Sequence, residues 1–384
     1  MQSFDASTRT FVRGAGTHLF DVRGRRVFDA TSSIWTIVHG HGHPALVEAI
    51  SRQAAQLDHA TTLGATNPAA EALAAALCER TAMDYAFFGG DGASSIEAAI
   101  KMALQYWEYA GQPRRTRFLH LVNSYHGDTA AAMSLSDIST FKSHFGAITF
   151  ETRAYDDPGD LHAADVAAVI VEPIVQAAAG MRIVSPERYD ALAGMEALLI
   201  VDEIATGFGR TGTMFAFEQL PLQPDLLCVG KGLTGGILAL SAVLARERIY
   251  RAFLGAREER KQFFHGHSFA GNPIACAAAL ASLELFAREA TLSRARDIAD
   301  VIAQRAAGLG RHRAIREIRR AGTMTGIELA DPAIAWALGD ALYERGQFTR
   351  AIGAVVQLVP PLSSTDADIH AFFDAFDDAL EALP

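Results

Sequence analysis

Five short apolar runs constrain the fold of this chain more than any other feature. They are RFLHLV (117–122), VAAVIV (166–171), ALLIV (197–201), DLLCV (225–229) and LSAVLA (240–245), each bounded by polar or glycine residues. Runs of this length and character suit strands covered on both faces. Beside them lie stretches with helical spacing of apolar residues, SSIEAAIKMALQYWEY (94–109) and PIACAAALASLELFAR (273–288). The alternation predicts an α/β layered domain built on a mostly parallel sheet. A chain of 384 residues is too long for one small core. After about residue 287 the pattern changes to a charged amphipathic helix at 291–308 and strand-like pieces near 314–329 and 351–359, which read as a smaller α+β domain. Near the start, FVRGAGTHLFDVRGRRVFDA reads as two short strands around a turn at Arg23-Gly24.

Charge and cysteine usage narrow the partners. The formal net charge of -10 provides no electrostatic footprint for nucleic acid, although a local site inside an acidic protein can still take an anionic ligand. Cys78, Cys228 and Cys276 lie far apart in apolar stretches, so buried thiols in a reducing cytoplasm are expected, without a disulfide framework or zinc knuckle. The start MQSFDASTRTFVRG has no apolar signal core, and no uninterrupted apolar run is long enough to cross a bilayer. The best candidate for a span, 166–184, is broken by Glu172. A cytoplasmic protein with no membrane partner is the expectation.

Three segments carry chemistry. In VDEIATGFGRTG (201–212) an apolar run ends at Asp202. A carboxylate at the carboxyl end of a strand faces the ligand crevice of an open α/β sheet, where it can hold a pyridine nitrogen protonated. The same position also suits an aspartate that caps the following turn. In LLCVGKGLTGG (226–236) a second run ends at Gly230-Lys231. A lysine there can form a Schiff base with an aldehyde if its surroundings lower its pKa; a solvated lysine in a glycine-rich turn is the plainer reading. In GGDGASSIEAAIKMA (89–103) a glycine-rich turn opens a helix. Its free N–H groups at Gly92, Ala93 and Ser94 suit a phosphate, or belong to an ordinary capped helix start. Together the three make one site: a phosphate cup, an acid for a ring nitrogen, and an amine for an aldehyde.

These segments, with KMALQYW (101–107), SYHGDT (124–129) and FHGHSFAGNPIACAAA (264–279), resemble the class III pyridoxal-phosphate aminotransferases over about residues 17–362. Within that class they look most like the branch that serves biotin synthesis and takes its amino group from S-adenosylmethionine. The resemblance implies an α/β fold of the PLP-dependent transferase fold type I, aspartate aminotransferase-like. It implies a large cofactor-binding domain at 33–286 and a small domain formed by 1–32 with 287–384. It implies pyridoxal 5'-phosphate as cofactor, a small-molecule amino donor, a keto acceptor, and a homodimer with shared active sites. By the same resemblance Lys231 matches the Schiff-base lysine, Asp202 the partner of the ring nitrogen, and Tyr125 the aromatic residue stacked on the ring. Gly92, Ala93 and Ser94 match the phosphate turn, and Ser268 a hydroxyl reaching the neighbouring subunit's phosphate. Glu172 and Asp128 match acidic residues near cofactor and substrate. Trp35 and Arg350 match a tryptophan at the substrate mouth and an arginine that pairs with a substrate carboxylate. Gly266 lies at the expected subunit boundary, and His267 stands where the branch usually has proline, at substrate or cofactor.

Two other patterns invite a reading. Gly207, Gly209 and Gly212 spell GxGxxG, but they trail the preceding apolar run and lead into TMFAFEQ, which does not fit a dinucleotide fingerprint. His39, His41 and His43 alternate in HGHGHP without a neighbouring carboxylate or cysteine; no metal is expected there. Departures from the branch fall on the substrate side. The start is short, Ile34 stands in place of the first of two tryptophans, and the segment between Tyr125 and Val169 is abbreviated. The substrate therefore stays open among the biotin-pathway ketone, an ω-aminotransferase reaction of another biosynthetic route, and a racemase or epimerase reaction on the same scaffold.

Overall fold

The computed structural model describes residues 9–155 and 158–382. Its central sheet has seven strands in the order Tyr85–Gly89, Ser241–Ala245, Leu226–Val229, Leu198–Asp202, Val166–Val171, Arg117–His120 and Arg153–Ala154. Only Ser241–Ala245 runs against its neighbours; the rest are parallel to one another. The five apolar runs all form strands of this sheet, joined by Tyr85–Gly89 and Arg153–Ala154, which the apolar pattern alone does not announce.

Strand alternation sorts the sheet residues into two cores. Val169, Val171, Leu199, Val201, Leu227 and Val229 pack on one face. Ala168, Ile170, Leu198, Ile200, Leu226 and Cys228 pack on the other. Helix Gly92–Tyr109 covers the second face through Ile96, Ala99, Ile100 and Ala103. Helices Pro68–Thr81 and Pro273–Arg288 cover the first through Leu73, Leu77, Ala275, Ala279 and Leu283. Both faces are covered, which is why these strands read as continuous apolar runs. All three cysteines are free thiols, and Cys228 and Cys276 are buried.

A second sheet, Ile315–Ala321, Met324–Leu329, Val355–Leu358 and Ala351–Ile352, has its own core of Ile302, Leu342, Phe372 and Phe376. Helices Thr291–Leu309, Ile334–Glu344 and Asp366–Ala382 supply these residues. A third sheet joins the chain's two ends: Phe11–Ala15, His18–Asp21 and Arg26–Asp29 are completed by Gln347–Phe348, which pairs parallel to the last of them. At the turn between the second and third of these strands, the Asp21 carboxylate accepts the N–H groups of Arg23 and Arg25, both at 2.9 Å. The first eight and last two residues of the expected small domain lie outside the described residues. No described helix is long and apolar enough to cross a membrane.

This topology places the site. Val166–Val171, Leu198–Asp202 and Leu226–Val229 are neighbours that run in the same direction, so their carboxyl ends open at one edge of the sheet. Glu172, Asp202 and Lys231 therefore emerge together.

The fully buried Ile170 pairs with Ile200 at the sheet centre. Ile170→Ala should lower unfolding free energy by about 2–5 kcal/mol in urea titration. A loss below about 1 kcal/mol would contradict this placement.

Candidate active site

A cavity of about 410 Å³ opens where those strands end. Lys231 projects into it from the short turn Lys231–Thr234, at a backbone φ of +43°. Partial desolvation holds its pKa below the ordinary lysine value; the Asp202 and Glu172 carboxylates oppose that shift and Arg210 adds to it. No hydrogen bond ties the amine among the described residues; its Nζ lies 5.1 Å from the centroid of the Trp35 ring.

Asp202 is held at both oxygens. Its Oδ2 accepts from His126 Nδ1 at 2.7 Å, and its Oδ1 accepts from the Ile204 N–H at 3.0 Å. Bonding at Nδ1 leaves His126 Nε2 buried without a partner among the described residues. Glu172 accepts from the Tyr125 N–H at 3.1 Å. Burial, reinforced by the nearby Asp202 charge, pushes its carboxyl well above the usual range, so Glu172 is held toward its neutral form. The Tyr125 ring lines the cavity, and burial together with Asp128 raises its phenol.

The start of helix Gly92–Tyr109 also lines the cavity. Asp91 caps it by accepting the Ser94 N–H at 2.8 Å, and the Ser94 hydroxyl accepts the N–H groups of Asp91 and Gly90 at 3.0 and 3.1 Å. The hydroxyl of Ser94 is thus spent inside the turn. The N–H groups of Gly92 and Ala93, in the first turn, have no intrahelical acceptor and border the cavity. They offer an anion site whose charge comes from the helix dipole, since Lys231 is the only cation among the described lining residues.

Of the residues singled out from sequence, Trp35, Gly92, Ala93, Tyr125, Asp128, Glu172, Asp202 and Lys231 line one cavity. Ser268, Gly266, His267 and Arg350 do not line it. Ser268 is exposed, and its carbonyl accepts from His59 Nε2 at 2.8 Å. The His267 ring edges the cup beside Gly90, and a Cβ on Gly90 would lie 3.3 Å from it. Arg350 is half-buried, and its carbonyl accepts the Gln357 N–H at 3.1 Å. The alternating histidines diverge: His39 reaches Ser282, His41 reaches Asp29, and His43 reaches Glu289. No helix opens after Gly212, so the GxGxxG residues form a turn and not a dinucleotide cradle.

The Aminotransferase class-III family profile matches residues 3–380. This chain belongs to the class-III aminotransferases. The adenosylmethionine-8-amino-7-oxononanoate aminotransferase of Nitratidesulfovibrio vulgaris is 38% identical over an alignment covering 96% of this chain and 76% of that protein. The crystal structure of the enzyme of that name from Methanocaldococcus jannaschii superposes with a TM-score of 0.93 at 35% identity, covering 98% of this chain and 93% of that one. An amine transaminase from an uncultivated Pseudomonas species, solved in its PLP-bound form, superposes with a TM-score of 0.92 at 30% identity, covering 99% and 97%. These neighbours share the mostly parallel central sheet expected of the type I transferase fold.

Two residues of this class-III aminotransferase went without a role at the level of sequence. His126 stands inside SYHGDT, next to Tyr125, but its contact with Asp202 spans 76 positions and no local spacing reveals it. Arg210 sits in GFGRTG and is almost fully buried. Its guanidinium donates to the carbonyls of Pro360 (2.6 Å), Ile37 (2.9 Å) and Trp35 (3.2 Å). Burial pushes its pKa down to about 10.

The depressed Lys231 pKa has a direct consequence. The neutral amine appears at lower pH than for a free lysine, so condensation with an aldehyde has its midpoint below 10.5. The chain has only four lysines, at 101, 142, 231 and 261. Pyridoxal phosphate trapped with cyanoborohydride at neutral pH should label Lys231 first, as read by peptide mass spectrometry. Equal labelling of Lys101 and Lys261 would contradict the described environment.

Proposed function

We propose that the cavity holds pyridoxal 5'-phosphate and that the protein transfers an amino group to an oxo acceptor by a two-step exchange. The reading rests on one observation: an amine with a lowered pKa, a doubly held carboxylate and the open N–H groups of a helix start line one cavity. These donors fit the cofactor. Gly92 and Ala93 would take its phosphate, Tyr125 would stack on its ring, Asp202 would pair with the ring nitrogen, and Lys231 would hold its aldehyde carbon. When bound, the cofactor supplies the aldehyde and an electron-accepting ring.

The chain's own groups do the rest. Lys231 Nζ would take the proton from the donor's α-carbon and deliver it to the other side of the exchange. Asp202 would hold a protonated ring nitrogen, and His126 Nδ1–H keeps Asp202 oriented. Burial raises the Glu172 carboxyl, which lessens the negative charge placed beside Asp202. Arg350, which lies outside the cavity lining, is assigned the acceptor's carboxylate on the family resemblance alone.

The substrate assignment follows the relatives: S-adenosylmethionine as donor and the biotin-pathway oxo acid as acceptor. The likeness to an amine transaminase favours a second reading, a simple amine as donor. The purified holoenzyme should lose its cofactor absorbance band when S-adenosylmethionine alone is added and regain it with the oxo acid. Conversion by alanine or a simple amine instead would move the enzyme to the second reading. Lys231→Ala should abolish turnover, a fall of at least about 10³-fold; wild-type activity would overturn the site.

The working unit is proposed to be a homodimer. Leu63, Phe264 and Phe269 are exposed apolar side chains clustered with Gly266 and Ser268, and Leu63 packs directly against Gly266. Ser268 would then reach the phosphate of the second copy. Phe269→Glu should shift the protein toward monomer in sedimentation velocity and lower activity in parallel. A wild-type dimer with this substitution would place the interface elsewhere.

A further inference from the structure

Residues Ser32, Ser33, Ile34 and Trp35 form a left-handed turn, with φ of +49°, +50°, +76° and +66°. None is glycine, one is β-branched and one is bulky, so the conformation is costly and persists only where the surroundings over-determine it. They do so here from four directions. The buried Asp29 carboxylate accepts the Ser33 N–H (3.1 Å) and hydroxyl (3.0 Å), and is itself held by His41 Nε2 at 2.8 Å. The Ser32 hydroxyl donates to the Val359 carbonyl at 2.7 Å. Arg210 grips the Trp35 and Ile37 carbonyls. Gly236 lies so close that a Cβ there would sit 2.6 Å from the Thr36 carbonyl.

These contacts fix the backbone but not the indole. The indole is fixed by one bond, Trp35 Nε1–H to Gln357 Oε1 at 3.1 Å. Gln357 is 2% exposed, on the strand Val355–Leu358. Because an indole nitrogen can only donate, this bond decides which way the amide faces. Its Nε2 is then a buried donor with no partner among the described residues. An unpaired buried donor is unfavourable, so packing alone does not account for a glutamine here. Trp35 packs with Val175, Ala177, Ala178, Met181 and Val359, and both alanines line the cavity. The indole and both alanines thus form one apolar stretch of the cavity wall, a surface suited to an aliphatic chain.

We propose that Gln357 is a positioning residue: by locking the Trp35 indole against the apolar wall, it sets the length and girth of the aliphatic part of the substrate. This rests on reading the cavity as the aminotransfer site. It does not require Gln357 to touch the substrate or the cofactor.

The test uses full-length holoenzyme labelled with 5-fluorotryptophan. The three tryptophans, 35, 107 and 336, give three fluorine resonances, and Trp35→Phe identifies the first. In Gln357→Leu the Trp35 line should shift and broaden while the Trp107 line stays. With the donor saturating, KM for a long-chain aliphatic oxo acid should rise about five- to tenfold with kcat within about twofold, the size expected for one buried hydrogen bond. KM for a short oxo acid should move less than about twofold. In the Trp35→Phe background Gln357→Leu should add nothing further. An unchanged Trp35 line, equal KM changes for both oxo acids, or an additive double variant would each overturn the proposal. Should Gln357→Leu fail to fold, Trp35→Phe removes the same bond from the other side; unchanged KM for both oxo acids would then overturn it. The fluorine line is read without turnover, so failure here is separable from failure of the aminotransferase reading, which Lys231→Ala tests.

Discussion

An amine and two carboxylates are brought out of bulk water at the ends of three neighbouring parallel strands, and the rest of the site is arranged around that charge problem. Removing an ammonium from water costs several kcal/mol unless opposite charge is close. Asp202 and Glu172 provide it, but two full negative charges would overcompensate one amine. Burial offsets this by raising the Glu172 carboxyl, while Asp202 is held by His126 and the Ile204 N–H. Next in the chain, Glu203 is buried too, and its carboxyl is pushed up to about 7 while it accepts from Thr206 and Phe217. Acidic neighbours of Asp202 thus carry less of the negative charge that they would carry in water.

Much of this was legible in the chain. The five apolar runs are strands because both faces of the sheet are covered, and that condition makes a run continuous and easy to read. Asp202 and Lys231 were legible because each ends, or closely follows, such a run, and chain direction then puts them at the crevice. Tyr85–Gly89 was harder, since its first three residues are only half-buried and the strand carries a polar start. His126 was invisible as a partner of Asp202, because that contact depends on the order of strands, which puts Arg117–His120 and Leu198–Asp202 on either side of Val166–Val171. The left-handed turn was equally hidden: Ser-Ser-Ile-Trp has no glycine or asparagine to signal positive φ, and the energy that holds it comes from Asp29, Arg210 and Val359.

Family resemblance and physical reading divide the labour differently. Motifs carried the family assignment, and the family profile covers nearly the whole chain. The structure adds what motifs do not state, such as the Ser94 hydroxyl being consumed within its own turn. It also adds the guanidinium of Arg210, which binds backbone carbonyls of two segments far apart in the chain. That arginine ties residues 35–37 to Pro360, so the turn that carries Trp35 and the segment after Val355–Leu358 share one anchor.

The strand that closes the N-terminal sheet has a consequence for how the protein is made. Gln347 pairs with Phe28, and Phe28 and Ala30 donate their N–H groups to Gly346 and Phe348. A ribosome adding about 5–20 residues per second needs roughly 16–64 s to reach Gln347 after Phe28 has been polymerised. Throughout that interval Arg26–Asp29 is a strand with an open edge. The turn at Ser32–Trp35 also lacks its Val359 and Gln357 anchors. Lys231 and Asp202 are polymerised before Val355–Leu358, so the nascent chain carries its reactive side chains before it carries the strand that anchors Trp35.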